Sequence, residues 1–271
     1  MRKMKVDKTQ LACHAFLIIF LAIILAPLLY LTESSFATMD YGHIIISHLT
    51  LANFVELFND SAFMMSFLNG LIICSVSVAV AVSVGTLAGY SFSRYRIKFH
   101  DSIFFTLLTT RMGPAAGFVI PFYLLLSKLG LVNTIPGMFL VYIMLILAFS
   151  VWLMRGFMEN APLLEQYAAM VDGYSEWESF KLTVLPRIYS GIGITATFCF
   201  LFLWNESLYN LILAGSAART VTPYIFTFVG SMRVPFGKIC AATLLSMIPV
   251  IILLLILGRR IVKGFALGMV R

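Results

Sequence analysis

Six long apolar runs decide what this chain of 271 residues can become. They cover residues 11–31, 64–92, 103–127, 135–158, 188–213 and 239–262. About 20 helical residues cross the hydrocarbon core of a bilayer, so each run is long enough to span it. Backbone polar groups in lipid must be satisfied within the protein, which leaves helices or a closed barrel. The runs are too continuous for the short alternating strands of a barrel. The expected fold is an all-α integral membrane protein with six transmembrane helices. Composition agrees, with 61% hydrophobic and 11% charged residues, against about 25% charged in soluble proteins. That balance excludes a disordered chain and argues against a soluble enzyme. The net charge of +7 does not read as a nucleic-acid footprint, because Lys and Arg fall between the apolar runs rather than in one cluster among exposed aromatics.

The basic residues set a topology instead. With the amino terminus in the cytoplasm, 14 of the 19 Lys and Arg fall on the cytoplasmic side and 4 on the external side, leaving Arg111 inside the third run. Both termini are then cytoplasmic. Arg2, Lys3, Lys5 and Lys8 precede the first run as they would in a signal peptide. That run, however, exceeds the 7–15 residues of a signal core and ends at Leu31-Thr32-Glu33 without a small-residue cleavage pattern. It is expected to remain as a transmembrane helix.

Polar residues inside the runs mark inward faces. A charge at mid-span costs on the order of 2.5–3.5 kcal/mol on insertion scales, so Arg111 must meet protein or water. A structural pair and a pathway lining both satisfy it. Gly113-Pro114 follows and should kink or open the helix, freeing carbonyls. The fifth run carries Trp204-Asn205-Glu206-Ser207, then Tyr209 and Asn210. Residues 206 and 210, four apart, would share one helical face toward a cavity. There Trp204 and Tyr209 could stack on the apolar face of a ring while Asn205 and Glu206 take its hydroxyls. An interfacial aromatic belt with an interhelical hydrogen bond is the plainer alternative. The candidate pathway residues are therefore Arg111, Pro114, Trp204, Asn205, Glu206, Tyr209 and Asn210.

Other residues carry no chemistry. Ser75, Ser77, Ser83, Gly85 and Gly89 in the second run, and Gly191 and Gly193 in the fifth, suit close helix packing. Cys13, Cys74, Cys199 and Cys240 lie in apolar stretches and read as small buried hydrophobes. His14, His43, His48 and His100 form no ligand pair, so no metal site is expected. The sequence has no phosphate-binding glycine loop, no His-Glu-x-x-His and no Gly-x-Ser-x-Gly. The chain is expected to bind no cofactor and to hydrolyse nothing itself.

The segment from 159 to 186 is too polar to span a bilayer and too patterned to be a tether. Pro162 opens a helical stretch through Val171, Asp172-Gly173 supplies a turn, and a second stretch begins near Ser175 with Glu178 completing a capping box. Two short helices at an angle would make a rigid cytoplasmic knob.

Here the sequence resembles the membrane permeases of bacterial ABC importers, whose cytoplasmic signature is Glu-Ala-Ala, three residues, Gly, and later Leu-Pro. In this chain the segment reads Tyr167-Ala168-Ala169-Met170-Val171-Asp172-Gly173, with Phe180 and Leu185-Pro186 closing it. It is most similar to the carbohydrate-uptake subfamily of maltose and glycerol-phosphate type. The supporting segments are Leu51-Ala52-Asn53-Phe54, Leu68-Asn69-Gly70, Leu87-Ala88-Gly89-Tyr90-Ser91-Phe92-Ser93-Arg94, Trp204-Asn205-Glu206 and the tail from Arg260 to Gly268. Three positions depart from the pattern: Tyr167 stands for the usual Glu, with the nearest acid displaced to Glu165, Tyr174 stands for Ala, and Ser190 stands where Pro often follows.

The resemblance implies a permease subunit of an ATP-driven importer for a carbohydrate: a sugar, polyol or glycerol-phosphate-like solute. It implies a multi-pass protein of the bacterial cytoplasmic (inner) membrane. Residues 1–63 would hold the first helix and an external loop, residues 64–262 the permease domain, and residues 263–271 a cytoplasmic tail. The implied partners are a homologous second permease subunit, a cytoplasmic ATPase dimer that carries ATP and Mg, and an external or periplasmic solute-binding protein. The 159–186 segment would be the coupling helix gripped by that ATPase, through Glu165, Tyr167, Ala168, Ala169, Asp172, Gly173, Tyr174, Phe180 and Pro186. The alternative is a self-contained secondary transporter or channel for a small polar solute. It would call for coupling carboxylates or inverted repeats, whereas Glu206 is the one clear intramembrane acid and no repeat is visible.

Overall fold

Helices account for every apolar run in the computed structural model, which describes residues 8–37, 49–95, 98–110, 113–229 and 234–269. In chain order they are α1 (Lys8–Ser35), α2 (Ala52–Asn59), α3 (Ser61–Arg94), α4 (His100–Thr109), α5 (Ala115–Lys128) and α6 (Ile135–Glu159). There follow α7 (Leu163–Val171), α8 (Glu176–Ser179), α9 (Leu185–Trp204), α10 (Leu208–Leu213), α11 (Val221–Val229) and α12 (Phe236–Met269). Contacts divide the chain into two compact units, residues 1–61 with 225–247, and residues 62–224 with 248–271.

Among the described residues five stretches are long and apolar enough to cross a bilayer: Ala12–Ser35, Ser61–Arg94, Ile135–Glu159, Glu176–Trp204 and Phe236–Ile256. The six-helix expectation differs at the third run, which is shared between α4 and α5 with Gly113 and Pro114 between them. At 1.5 Å per residue neither half reaches across a core of about 30 Å. The proline ring and its missing N–H stop helix propagation at the place the sequence marked for a kink.

The fifth run is displaced. The helix does not begin at residue 188 but runs continuously over Glu176–Trp204, through a π-helical stretch, Phe180–Val184, and past Pro186 near the start of α9. Pro186 offers no N–H to the carbonyl four residues earlier, and a widened turn accommodates that loss without ending the helix. The second short helix of the knob is therefore the first turn of a membrane-length helix. At the other end α9 stops at Trp204, and residues 205–207 interrupt the helix before α10.

In the larger unit α6 packs along α9. Of the small residues expected to permit close packing, Gly85, Gly89 and Gly191 do so, while Ser75 and Ser83 are exposed. A Cβ on Gly89 would stand 2.8 Å from the Arg155 backbone nitrogen, and Gly85 faces Ser150 in the same α3–α6 contact. Val76, Val80, Val84 and Leu87 form the exposed side of α3, while Ile73, Ser77, Ala81 and Gly85 line its buried side. That is the lipid-facing and protein-facing division of a spanning helix. At the end of this bundle nearest the knob, Tyr90, Met154, Met158, Phe180, Val184 and Ile188 close a buried cluster.

In the smaller unit the Asn53 side chain donates to the carbonyls of Ser35, at 2.9 Å, and Ala37, at 3.1 Å, groups that the end of α1 leaves unpaired. Lys238 at the start of α12 reaches Asp60 at 3.7 Å. Helix α2 was not anticipated within the expected external loop.

Candidate functional site

The segment between α6 and α9 builds its knob from local rules. Pro162, extended at φ −65° and ψ 119°, starts α7, because its ring favours that geometry and lacks an N–H that would be orphaned anyway. The helix ends as Gly173 turns to φ +95°. The Tyr174 N–H donates to the Ala169 carbonyl at 3.1 Å and the Gly173 N–H to that of Met170 at 3.1 Å. This is the left-handed glycine stop foreseen at Asp172-Gly173. Ser175 then caps α8 reciprocally: its backbone N–H donates to the Glu178 carboxylate at 2.9 Å, and its hydroxyl accepts from the Glu178 N–H at 3.4 Å.

The knob has two faces. Gln166, Ala169, Ser179 and Phe180 are buried, and the Ser179 hydroxyl donates to the Gln166 carbonyl at 2.8 Å, tying the start of the long helix to α7. Leu164, Tyr167, Val171, Tyr174 and Trp177 are exposed, Leu164 at 80% and Val171 at 86%. Of the nine residues expected at this surface, Tyr167, Ala168, Asp172, Gly173 and Tyr174 are exposed, while Ala169 and Phe180 face inward as packing. Pro186 is exposed but lies inside α9. The displaced acid Glu165 forms a two-pronged pair with Arg187, at 2.5 and 3.1 Å, which fixes α7 against α9. Both side chains are half exposed, so the pair contributes at most about 1 kcal/mol.

Sequence reasoning missed how the knob is fastened to α3. The Tyr90 hydroxyl donates to the Glu176 carboxylate at 3.1 Å and accepts from the Gln166 amide. Its ring meets Phe180 edge to face at 4.8 Å. Tyr95 donates to the same Glu176 oxygen, and Arg94 donates to the Ala161 carbonyl at 3.1 Å. No local pattern pairs residues 76 positions apart, so only the fold could reveal this.

The second candidate region is a recess of about 320 Å³ where the two broken helices meet. Phe118, Phe122 and Phe202 supply an aromatic side, with Thr110, Glu206 and Tyr209 as polar groups. Both breaks supply its geometry. The Tyr209 hydroxyl donates to the Ala115 carbonyl at 3.0 Å, and the Glu206 carboxylate accepts the Tyr209 N–H at 3.0 Å. Pro114 precedes α5 between the lining residues Gly113 and Ala115 but is not itself among them, while Arg111 lies outside the described residues. Since the helix ends at Trp204, the shared-face argument for Glu206 and Asn210 does not hold, and the two separate. Asn210 is buried, accepting from the Thr220 N–H at 2.9 Å and donating to Ala218 at 3.3 Å. Trp204 is also buried, stacked on Phe200 and edge-on to Phe67. The exposed Asn205 amide bonds back to the Leu201 carbonyl at 2.8 Å. Glu206 and Tyr209 remain at the recess, joined by three phenylalanines that the sequence pattern did not single out.

No protein-family model matches the sequence. Individual proteins do. The trehalose/maltose transport system permease protein MalG of Thermococcus litoralis is 30% identical over 258 residues, 92% of this chain and 93% of that one. The trehalose transport system permease protein SugB of Mycobacterium tuberculosis is 29% identical over 91% of this chain and 92% of its own. Among solved structures, a bacterial ABC transporter involved in the import of the acidic polysaccharide alginate superposes with a TM-score of 0.80 at 18% identity, covering 96% of this chain and 98% of that one. With helices that suit a bilayer, a self-capped surface knob and relatives matched along nearly their whole length, the chain belongs to the ABC transporter permease family.

Proposed function

We propose that this chain is the permease subunit of an ATP-driven importer of a carbohydrate, whether a sugar, a polyol or a glycerol-phosphate-like solute. The observation that carries the reading is the knob between α6 and α9: a rigid, self-capped segment presenting Leu164, Tyr167, Val171 and Tyr174 to solvent on an otherwise lipid-adapted chain. Exposed apolar groups on a rigid mount suit a protein partner. On this reading the partner is a cytoplasmic ATPase dimer, which supplies ATP and Mg, and its closure swings the helices between inward and outward access. Relatives named for trehalose and maltose support a sugar cargo, and the neighbouring structure solved with a pentasaccharide-bound periplasmic protein supports delivery by an external binding protein. The recess at Glu206 and Tyr209 fits that cargo, since aromatic faces stack on sugar rings while carboxylate and hydroxyl groups bind their hydroxyls.

In the bilayer α4 and α5 together make the sixth crossing, as a broken helix, and both termini and the knob are cytoplasmic, in the bacterial inner membrane. A homologous second permease completes the pathway. The test is reconstitution. The complete complex in vesicles should hydrolyse ATP faster when a sugar-loaded binding protein is added, and the purified chain should hydrolyse none. Proton- or sodium-driven uptake by vesicles containing this chain alone would overturn the reading.

A further inference from the structure

We propose that Tyr90 is a positioning residue that fastens the knob to the cytoplasmic end of α3, so that α3 and the knob move as one body when the partner ATPase closes; this rests on the docking reading above. The knob is continuous in sequence with α6 and α9, and the Glu165–Arg187 pair holds it further against α9. Helix α3 has no such connection and must be joined by contacts. Tyr90 makes those to Gln166, Glu176 and Phe180, and Tyr95, just past the helix end, adds a second donor to the same Glu176 oxygen. Tyr90 is 9% exposed, and its one hydroxyl binds both halves of the knob at once, accepting from Gln166 of α7 and donating to Glu176 of α8. Its ring sits against Phe180, where the long helix widens into the π-helical stretch. Gln166 is itself buried, and its backbone carbonyl is held by Ser179. A hydroxyl held by two partners from two elements ties their positions together, and the buried Gln166 amide is costly to leave unpaired, whereas Glu176 is exposed. Arg94, one turn further along α3, donates to the Ala161 carbonyl before α7 and makes the joint two-pointed, which resists rotation.

The consequence is mechanical. The exposed side of α3 carries the lipid-facing valines and its buried side the Gly85–Gly89 contact with α6. A pull on the knob therefore reaches α3 as a rigid displacement rather than through side-chain repacking, and Tyr90 determines how much of ATPase closure becomes helix movement.

The experiment uses the complete complex in vesicles, with spin labels at Val171→Cys on the knob and Leu87→Cys on α3, compared without nucleotide and with ATP bound. In the parent protein the label separation should stay constant within about 1–2 Å, the scale of ordinary helix shifts. Tyr90→Phe keeps the ring contacts and removes the hydroxyl. It should make the separation change on ATP binding and lower the solute moved per ATP hydrolysed by about fivefold or more, with assembly intact. Tyr90→Phe with unchanged transport per ATP overturns the proposal, as does a parent separation that changes with nucleotide. Loss of transport and ATP hydrolysis in equal proportion, together with a lower melting temperature, would assign Tyr90 a structural role only and overturns it too. Failure of the position-171 cysteine to cross-link to the ATPase would overturn the docking reading itself, a signature distinct from a cross-linked complex whose label separation varies.

Discussion

At Gly173 nothing stands within 4 Å of where a Cβ would sit, yet φ is +95°. A side chain there meets backbone strain rather than crowding. Gly173→Ala is expected to cost about 1 kcal/mol, whereas Gly173→Asp adds a charge at the exposed turn and should abolish transport while leaving membrane insertion intact. Uptake assays on vesicles with matched protein content separate the two. Gly89 is the opposite case: a Cβ would press on the Arg155 and Met154 backbone at 2.8 and 3.0 Å, atoms that cannot swing aside. Gly89→Ala should destabilise by about 1–3 kcal/mol, read as a lower melting temperature in detergent. Gly156→Ala, in α6 with open space around it, should not destabilise. In the second region, Asn210→Ala strands the buried Thr220 N–H and should lower stability by about 1–3 kcal/mol. Glu206→Gln should leave the melt unchanged and alter uptake kinetics. Equal melts for the two variants would refute the division between them. Residue identity alone predicted the glycine contacts, since a missing side chain matters only where helices touch. It could not separate Asn210 from Glu206, because that depends on where α9 ends.

Elements read well where one local rule governed them and poorly where two competed. The cap at Ser175 and the stop at Gly173 were legible because the signals lie within four residues of one another. Ser175→Ala should therefore cost about 1 kcal/mol, and Ser175→Asp should retain most of it, as thermal melts would report. The start of the long helix was misplaced by about three turns. Leu185-Pro186 reads as a boundary on propensity, yet the π-helical stretch Phe180–Val184 absorbs the proline and carries the helix through. Apolar continuity likewise hid the end of α9, since hydropathy does not register the break at residues 205–207, whereas Gly113-Pro114 had marked the break between α4 and α5. Those two breaks create the recess, so the sequence pointed to Glu206 and Tyr209 while Thr110 and the three phenylalanines stood out in no local pattern.

At the scale of the molecule, the account joins an apolar bundle adapted to lipid with a knob adapted to a protein partner, and it stands on which side of the membrane that knob occupies and what holds it. Val171 is the most direct reporter, 86% exposed at the end of α7 and without a role in packing. The decisive measurement places Val171→Cys in a background where the exposed Cys13 is Ser, and treats intact cells and inverted vesicles of the assembled complex with a membrane-impermeant thiol reagent. The account predicts labelling in inverted vesicles alone, and protection of that cysteine when the ATPase is bound. Labelling in intact cells, or equal reactivity with and without the ATPase, would contradict it.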